Sequence, residues 1–429
     1  MTDNNVPSGM DGLASELCEE IAAIPTVDAH EHLVPEAEAL GKPADFYSLF
    51  EHYCPGDLVA AGAGETEIKE FGDRNLPEAA RWERFKPYLS RIRTGSYACS
   101  ALIVVRDLLG LPGLDDGTYA EVGRRLRALR QPGLYQRILR ERCNIAACIQ
   151  CVQLKDMGPG YFHHLAPSEE VVDVAGPRDV KRLSERLGRD VRSLDDAVEC
   201  MEKVVSEWAS TPRVVGIKSA HAYGCTLGFR KVEGSDASAA FRRILASEAG
   251  ADPQDAGLVQ DFLMFKLAAC AASADLALVI HTGLQAGNYG RITDANPLLL
   301  QALIEENRGT RFDLFHGGTP WVREIAVLAK YFPNVHLNMA WMHIISPAQA
   351  RAALSEWLDM VPNTKIFGFG GDYSIVEKVY GHLKMARQDI ACVLAEKVRE
   401  GAWSRAEASL VARRLMRDNA AEFYRISLP

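Results

Sequence analysis

Residues 276–283 read LALVIHTG, and residues 311–318 read RFDLFHGG. Each segment is a short apolar run that stops at a histidine shortly before a glycine. Such runs, bounded by turn-forming residues, predict buried β-strands. Residues 296–307, NPLLLQALIEEN, lie between them and have the apolar spacing of a helix. A strand, a helix and a second strand in this order predict parallel strands joined by a helical crossover.

The same alternation extends on both sides of this pair. Further strands are predicted in RVVGIKSA (213–220), NVHLNMAW (334–341), TKIFGFGGD (364–372), the runs 25–30 and 144–154, and a weaker run at 161–174. Helices are predicted near 257–273, 320–331 and 346–360. Eight parallel strands joined by helices form a closed (β/α)₈ barrel, which needs roughly 250 residues.

The excess length lies mainly between the first and second predicted strands. Residues 36–140 are rich in Arg, Leu, Tyr and helix-forming residues and contain no strong strand pattern. They predict a helical insertion. We therefore expect an α/β fold with residues 1–429 as one barrel domain and residues 36–140 inserted after its first strand.

The composition argues against several classes of protein. With 48% hydrophobic and 24% charged residues, the chain has the content of an ordinary globular protein. A formal net charge of -9 without a basic run argues against a nucleic-acid partner. The start, MTDNNVPSGMDG, lacks the features of a signal peptide, and no apolar run reaches the length of a membrane span. Ten scattered cysteines predict buried thiols in a reducing compartment. Taken together, these features lead us to expect a cytoplasmic protein without a membrane partner.

The segment CIQC, Cys148 to Cys151, imitates a redox or zinc motif. It lies within the apolar run NIAACIQCVQL, where residues three apart point to opposite faces of a strand. The two thiols are therefore expected not to converge. We interpret both as structural.

Polar residues end several predicted strands. In TVDAHEHLVP, residues 26–35, His30 and His32 project to the same face of a strand and Glu31 to the other. His281 and His316 close two later strands, and Asp372 follows the last one. In a barrel all of these positions lie on the C-terminal face, where enzymes of this fold place their chemistry. We therefore expect one metal site on that face.

The ordered set, with a lysine added on the fourth strand, resembles the amidohydrolase superfamily. Within it, five segments resemble the branch that holds uronate isomerases and the amidohydrolase-like half of glutamine-synthetase fusion proteins. These segments are IHTG, NPLLLQALIE, FDLFHGGTPWVRE, GFGGDYS and RDNAAEFYRI. The resemblance is strong over 213–426 and 26–34 and loose across the insertion. It implies a distorted (β/α)₈ TIM barrel, one or two divalent ions and a metal-activated water.

The resemblance also implies roles for single residues. His30, His32, His281 and Asp372 are expected to bind the ion, and Asp372 also to accept the proton of the water. Imidazole and carboxylate ligands suit Zn²⁺, with Mn²⁺ or Fe²⁺ as alternatives. In mononuclear relatives the histidine of the sixth strand polarises the substrate, which assigns His316 to electrophile or acid/base work. A second ion would make His316 a ligand.

Lys218, in VVGIKSA, has three interpretations that the sequence leaves open. In binuclear relatives the equivalent lysine is carboxylated and bridges two ions. An unmodified ammonium group would instead bind a substrate carboxylate or pair with an acid of the barrel.

Three functions are compatible with these residues. The first is a metal-dependent hydrolase that cleaves an amide, ester or lactone of a small carboxylated molecule. The second is an isomerase or decarboxylase of a small acid, although NMAWMHII (338–345) departs from the tryptophan pair that uronate isomerases usually carry. The third, a binding protein without activity, is disfavoured by the intact ligand set. The sequence leaves open whether identical chains assemble into an oligomer. Expected substrate-binding residues are Arg91, Arg93, Tyr223, Gln285, Arg291 and Trp341.

Overall fold

Eight parallel strands form one sheet in the order β1 to β8. The computed structural model describes residues 10–151, 154–247 and 250–428. The strands are β1 Thr26–Glu31, β2 Ile145–Gln150, β3 Phe162–Pro167, β4 Val214–Ser219, β5 Ala277–His281, β6 Phe312–Phe315, β7 Val335–Asn338 and β8 Ile366–Phe367. Every predicted strand is present. The predicted runs at 144–154 and 161–174 are both longer than their strands, and residues 152–153, like the N-terminal residues 1–9, lie outside the described ranges.

The sheet closes on itself through the segment that follows β8. Ala29 N donates to Phe369 O at 3.1 Å, and Asp372 N donates to His30 O at 2.8 Å. These bonds join the end of β8 to β1 and complete the (β/α)₈ barrel that the sequence predicts.

The helices surround the barrel and fill the segment between β1 and β2. The helices of that segment and before it are α1 Gly12–Ala23, α2 Glu36–Leu40, α3 Cys54–Ala60, α4 Glu65–Gly72, α5 Glu78–Ile92, α6 Ser96–Asp107, α7 Tyr119–Leu129 and a π-helix at Gln136–Arg142. The later helices are α8 Glu169–Val172, α9 Pro177–Leu187, α10 Leu194–Ser210, α11 Gly234–Ala246, α12 Pro253–Ser273, α13 Gln301–Glu306, α14 Val322–Tyr331, α15 Met342–Ile345, α16 Pro347–Met360, α17 Val376–Arg399, α18 Arg405–Arg413 and α19 Asn419–Tyr424. Short 3₁₀ or π turns occur at Phe46–Leu49, His221–Tyr223, Ile292–Ala295, Pro297–Leu300, His316–Gly318, Asn363–Lys365 and Arg414–Asp418.

Local capping sets several of these boundaries. Asp252 accepts a hydrogen bond from Gln254 N and Pro253 occupies the first turn, so α12 begins four residues before the predicted residue 257. Ser346 caps α16 in the same way. The predicted helix at 296–307 is divided into a 3₁₀ turn and α13.

The helices between β1 and β2 have a hydrophobic cluster of their own, which runs from Ala44 to Leu126 and includes Phe46, Phe85 and Trp82. Helix α6 also packs against α17 of the barrel. These contacts agree with an insertion of helices at 36–140, whose exact bounds within a single domain stay a prediction.

Apolar side chains fill much of the barrel interior, which is closed at the end opposite the strand C-termini. Phe423 packs on His336 near the start of β7, with ring centroids 4.5 Å apart. Tyr424 OH donates to the buried carboxylate of Asp313, which also accepts a bond from Asn338 Nδ2 at 2.9 Å. Helix α19 therefore plugs this end and leaves the other end for a site.

The expectation that no apolar run reaches the length of a membrane span fails for helix α12, which is long and apolar enough by length and composition alone. It packs against α10, α11 and β5, as an outer helix of the barrel does.

The ten cysteines are free thiols. The expectation that they are buried holds fully for four of them, Cys54, Cys143, Cys148 and Cys200, and the others are partly exposed.

Candidate active site

An irregularity in β1 brings His30 to the interior of the barrel. Val27 and Ala29 pack with Val279 and Phe315 in an apolar cluster inside the barrel, so strict alternation would turn His30 outward. The pairing of β1 with β2 shifts register between Asp28 and Glu31, which is the local effect of a bulge. The His30 ring lies 4.5 Å from the Phe315 ring, centroid to centroid, inside the barrel.

His30, His32 and Asp372 converge at the C-terminal end of the strands. His30 Nε2 lies 3.3 Å from His32 Nε2, and Asp372 Oδ1 lies 3.4 Å and 3.1 Å from these two nitrogens. Asp372 Oδ1 is buried and has no hydrogen-bond partner among the described residues. Three electron-rich atoms at these separations repel one another unless a cation or a shared proton lies among them. The donor set therefore fits a divalent cation.

The backbone on both sides holds Asp372 in place. Its N–H donates to His30 O, and its carbonyl oxygen accepts a bond from Tyr53 OH at 2.6 Å. Asp372, Tyr53, His316 and Trp341 all have positive φ, between 58° and 70°. Left-handed backbone at non-glycine residues is strained, and its concentration here indicates a site where the fold imposes a conformation.

His316 and His281 lie beside these residues. Each uses one ring nitrogen in a hydrogen bond to a backbone carbonyl oxygen. His316 Nδ1 donates to Ala340 O at 3.0 Å, which leaves its Nε2 lone pair 3.7 Å from Asp372 Oδ2. His281 Nε2 donates to Leu284 O at 2.9 Å, and its ring centroid lies 4.5 Å from that of His316. His281 thus has only Nδ1 left as a ligand atom.

Burial keeps these imidazoles neutral. It holds the pKa of His30 and of His281 well below the ordinary value and lowers the pKa of His316 to about 4. Burial opposes ionisation of Asp372, but the close approach of the His32, His316 and His30 rings holds the pKa of that carboxyl well below its usual range. Neutral imidazoles beside a carboxylate are the protonation states that a metal ligand needs.

His32, His316 and Asp372 line a cavity of about 540 Å³. Lys218 is the cation in its lining, with Nζ 4.4 Å from the centroid of the Phe315 ring and a bond to Ser219 O at 3.3 Å. Lys218 forms no ion pair with a carboxylate of the described ranges. The cavity is lined by His32, His52, Tyr53, Cys151, Leu165, Pro167, Glu169, Lys218, Ala220, Tyr223, His281, Ala286, Phe315, His316, Asp372 and Ser374. A neighbouring cavity of about 730 Å³ shares Glu169 and Ala220 with it.

The structure brings only one of the expected substrate-binding residues directly to this cavity. Tyr223 lines it, with its OH accepting a bond from Ala286 N at 3.0 Å. Gln285 is buried and donates to Ala222 O. Trp341 lies behind the lining, stacked on Tyr53 with centroids 4.4 Å apart.

The three expected arginines lie elsewhere on the surface. Arg91 donates to Ala61 O at 2.8 Å, and its guanidinium group lies over the Tyr88 ring. Arg93 is exposed at the end of α5. Arg291 is exposed and pairs with Asp294. None of the three is in the cavity lining.

The lining residues that sequence reasoning missed include His52, Tyr53, Cys151 and Glu169. His52 accepts a bond from Ser374 N at 3.3 Å, and Tyr53 holds Asp372, although both come from the segment between β1 and β2. Cys151 directly follows β2. It follows the same rule as His281 and His316, which also lie where their strands end.

Solved structures share the whole fold. Glucuronate isomerase from Caulobacter crescentus matches with a TM-score of 0.81 at 19% identity, covering 100% of this chain and 97% of that one. Uronate isomerase from Thermotoga maritima matches with a TM-score of 0.78 at 17% identity, covering 97% and 98%. At these identities the likeness shows the fold alone.

Sequence comparison gives the family. Protein fluG of Emericella nidulans is 26% identical over 234 residues, which are 52% of this chain and 27% of that protein, so the chain matches about a quarter of its relative's length. The family model described as Amidohydrolase matches residues 207–426. That range holds β4 to β8 and with them Lys218, His281, His316 and Asp372. It exceeds half of the 429 residues, and the chain belongs to the amidohydrolase family.

Proposed function

We propose that this protein is a metal-dependent hydrolase that cleaves an amide, ester or lactone of a small carboxylated molecule. The observation that carries the proposal is the convergence of His30, His32 and the ionised Asp372, within 3.4 Å of one another, at the open end of the barrel. These residues would hold the ion, with Zn²⁺ as the first choice. His281 would join them only through Nδ1.

The proposed hydrolysis assigns roles to a small number of side chains. A divalent ion bound here would lower the pKa of a water ligand from about 15.7 to about 7. Asp372 would accept the proton of the attacking water and later return it to the leaving group. The His316 Nε2 lone pair, 3.7 Å from Asp372 Oδ2, is placed to relay that proton. Tyr223 would border the substrate.

Lys218 supports the choice of a carboxylated substrate. Its ammonium group lines the cavity and pairs with no described carboxylate, which weighs against a structural ion pair. A substrate carboxylate would supply the missing partner. If Lys218 were instead a carboxylated bridge between two ions, Lys218→Ala would lose one metal equivalent and regain activity with added short carboxylic acids. Unchanged metal content with a raised KM supports the substrate-binding role.

A second candidate is isomerisation of a uronate, which is favoured by the likeness of the whole fold to the two uronate isomerases. Both candidates use the same metal-ligand set. They differ in the fate of solvent oxygen, because hydrolysis incorporates one oxygen atom of water into the product and isomerisation does not require it.

The experiment is a substrate screen in ¹⁸O-labelled water with the metal-loaded protein. N-acyl amino acids, γ-glutamyl amides, lactones and uronates are supplied in parallel, with metal-stripped protein as control. We expect a product carboxylate that contains ¹⁸O. Turnover of uronates alone would replace the hydrolase by the isomerase.

Two further properties complete the proposal. We place the protein in the cytoplasm because its ten cysteines are free thiols. The charge of -9 favours small molecules over nucleic acid as partners.

A further inference from the structure

We propose that Cys151 is an additional ligand of the metal centre, which makes the centre a mixed imidazole, carboxylate and thiolate site. The Sγ atom of Cys151 and ring nitrogens of His30 and His32 all lie within 4.8 Å of one another. The inference rests on the metal centre of the proposed function and adds the chemistry of a soft ligand to it.

Strand pairing places this thiol beside the two histidines. Glu31, between His30 and His32, pairs with Gln150 in the ladder of β1 and β2. The next residue, Cys151, donates its N–H to Glu31 O at 2.7 Å. The position of Cys151 is therefore set by the backbone of the barrel, and its side chain lines the same cavity as His32.

Cys148, in strand β2, has the environment of a purely structural thiol. It is fully buried in the cluster between the strands and the outer helices, and its Sγ accepts a bond from Gln150 Nε2 at 3.1 Å. Cys151 is partly exposed to the cavity. The two thiols do diverge, as the sequence predicts, but only Cys148 has the structural role expected for both.

A second observation indicates that a cation belongs among these atoms. Asp372 Oδ1 is buried, faces His30 Nε2 and His32 Nε2 at 3.4 Å and 3.1 Å, and has no hydrogen-bond partner among the described residues. An ion that satisfies this oxygen would lie beside the histidines that Cys151 also approaches. On binding, the Cys151 thiol would lose its proton to solvent and the thiolate would form the bond to the ion.

A thiolate ligand changes the metal preference. Soft sulfur ligands favour Zn²⁺ and Co²⁺ over the harder Mn²⁺. Loss of Cys151 should therefore weaken Zn²⁺ binding by at least roughly 10-fold, since even groups that only support a ligand cost this much, and affect Mn²⁺ much less.

The test uses the full chain, stripped of metal and loaded with Co²⁺. We expect a sulfur-to-cobalt charge-transfer band in the near ultraviolet in the parent protein and its absence in Cys151→Ser. Cys270→Ser, which removes a partly exposed thiol of α12, is the matched control and should keep the band. Bound cobalt and the far-ultraviolet circular dichroism are measured on each sample, so that an unfolded variant is recognised.

The outcomes separate this inference from the proposed function. Stoichiometric cobalt without the charge-transfer band in the parent overturns the thiolate ligand and leaves the metal centre intact. Failure of the parent to bind cobalt overturns both. A variant that does not fold is replaced by competition of Zn²⁺ against Mn²⁺ in Cys151→Ala, where an unchanged preference also overturns the ligand.

Discussion

Asp372 is held by its backbone, which leaves its carboxylate free for chemistry. Its N–H and its carbonyl oxygen are bound by His30 O and Tyr53 OH, while both carboxylate oxygens face histidines. A change confined to the carboxylate should therefore alter its basicity and not its position. This separation makes single substitutions at the site informative.

Asp372→Asn should reduce turnover by roughly 10²- to 10⁴-fold, the usual contribution of a positioned acid/base group. The amide keeps the shape of the side chain but cannot accept the proton. Metal content and kcat are to be measured on the same sample, because the amide is also a weaker ligand.

Asp57→Asn, in helix α3, removes a half-buried carboxylate outside the cavity lining and is the control for this substitution. It should keep kcat. If metal-loaded Asp372→Asn retained turnover within a few-fold of the parent, the proton acceptor would be His316 instead.

His30→Gln and His32→Gln should each lose most of the bound ion. Removing one imidazole leaves an incomplete ligand set, since the remaining donors are fixed by the barrel and cannot close around the ion. Elemental analysis after dialysis against metal-free buffer measures the loss.

His163→Gln is the matched control, because His163 is a partly exposed histidine of β3 that is not in the cavity lining. It should bind as much metal as the parent. Full occupancy in the His30→Gln, His32→Gln double variant would remove the basis of the metal centre.

At the scale of elements, the short strand β8 depends on the glycines that follow it. Gly371 N donates to Asp28 Oδ1 at 3.0 Å, and Tyr373 N donates to Glu31 Oε2 at 2.7 Å. These bonds run on either side of Asp372 to the acids of β1. The end of β8 and β1 therefore act as one unit that positions the site.

Gly371→Ala should damage this unit. The added Cβ would lie 1.7 Å from Glu31 Oε1, and Glu31 is fully buried, so the end of β8 must move. We expect a loss of about 1–3 kcal/mol in the free energy of unfolding and a fall in bound metal.

Gly12→Ala, where no atom lies within 4 Å of the added Cβ, is the control. Both variants are examined by denaturant unfolding and elemental analysis. Parental stability and metal content in Gly371→Ala would show that this unit tolerates displacement.

At the scale of the whole molecule, the buried polar group of the plugged end should make stability depend on pH. Burial raises the pKa of Asp313 to about 7, although bonds from Tyr424 and Asn338 oppose the shift. In the unfolded chain the carboxyl ionises near its ordinary value of 3.8. Between these values the folded state holds more protons, so the contribution of Asp313 to stability is full below 3.8 and is lost as the pH rises through about 7.

Asp313→Asn removes this titration. Its free energy of unfolding should fall less than that of the parent between pH 4 and pH 7, by roughly 3 kcal/mol at 1.36 kcal/mol for each pKa unit. Urea unfolding across this pH range is the measurement. Asp236→Asn, at an exposed carboxylate of α11, should keep the parental dependence. Identical pH profiles in the parent and Asp313→Asn would contradict a protonated Asp313 in the folded state.

The barrel could be predicted from sequence because its strands are marked by local apolar runs such as those at 276–283 and 311–318. Parallel strands of a barrel share one C-terminal face. Histidines and an aspartate at the ends of these runs are therefore expected to meet, whatever the conformation of the loops. Residues 207–426, which carry most of these motifs, are also those that the family model matches.

Only the tertiary structure decided the details of the site, because they depend on contacts between distant segments. The register shift in β1 turns His30 inward, and no local pattern in TVDAHE encodes it. Tyr53 reaches Asp372 across 319 positions of sequence, and Cys151 meets the histidines through the pairing of β2 with β1. Periodicity reports which face of an element is apolar. Which atoms of different elements come within bonding distance is set by the packing of the whole barrel.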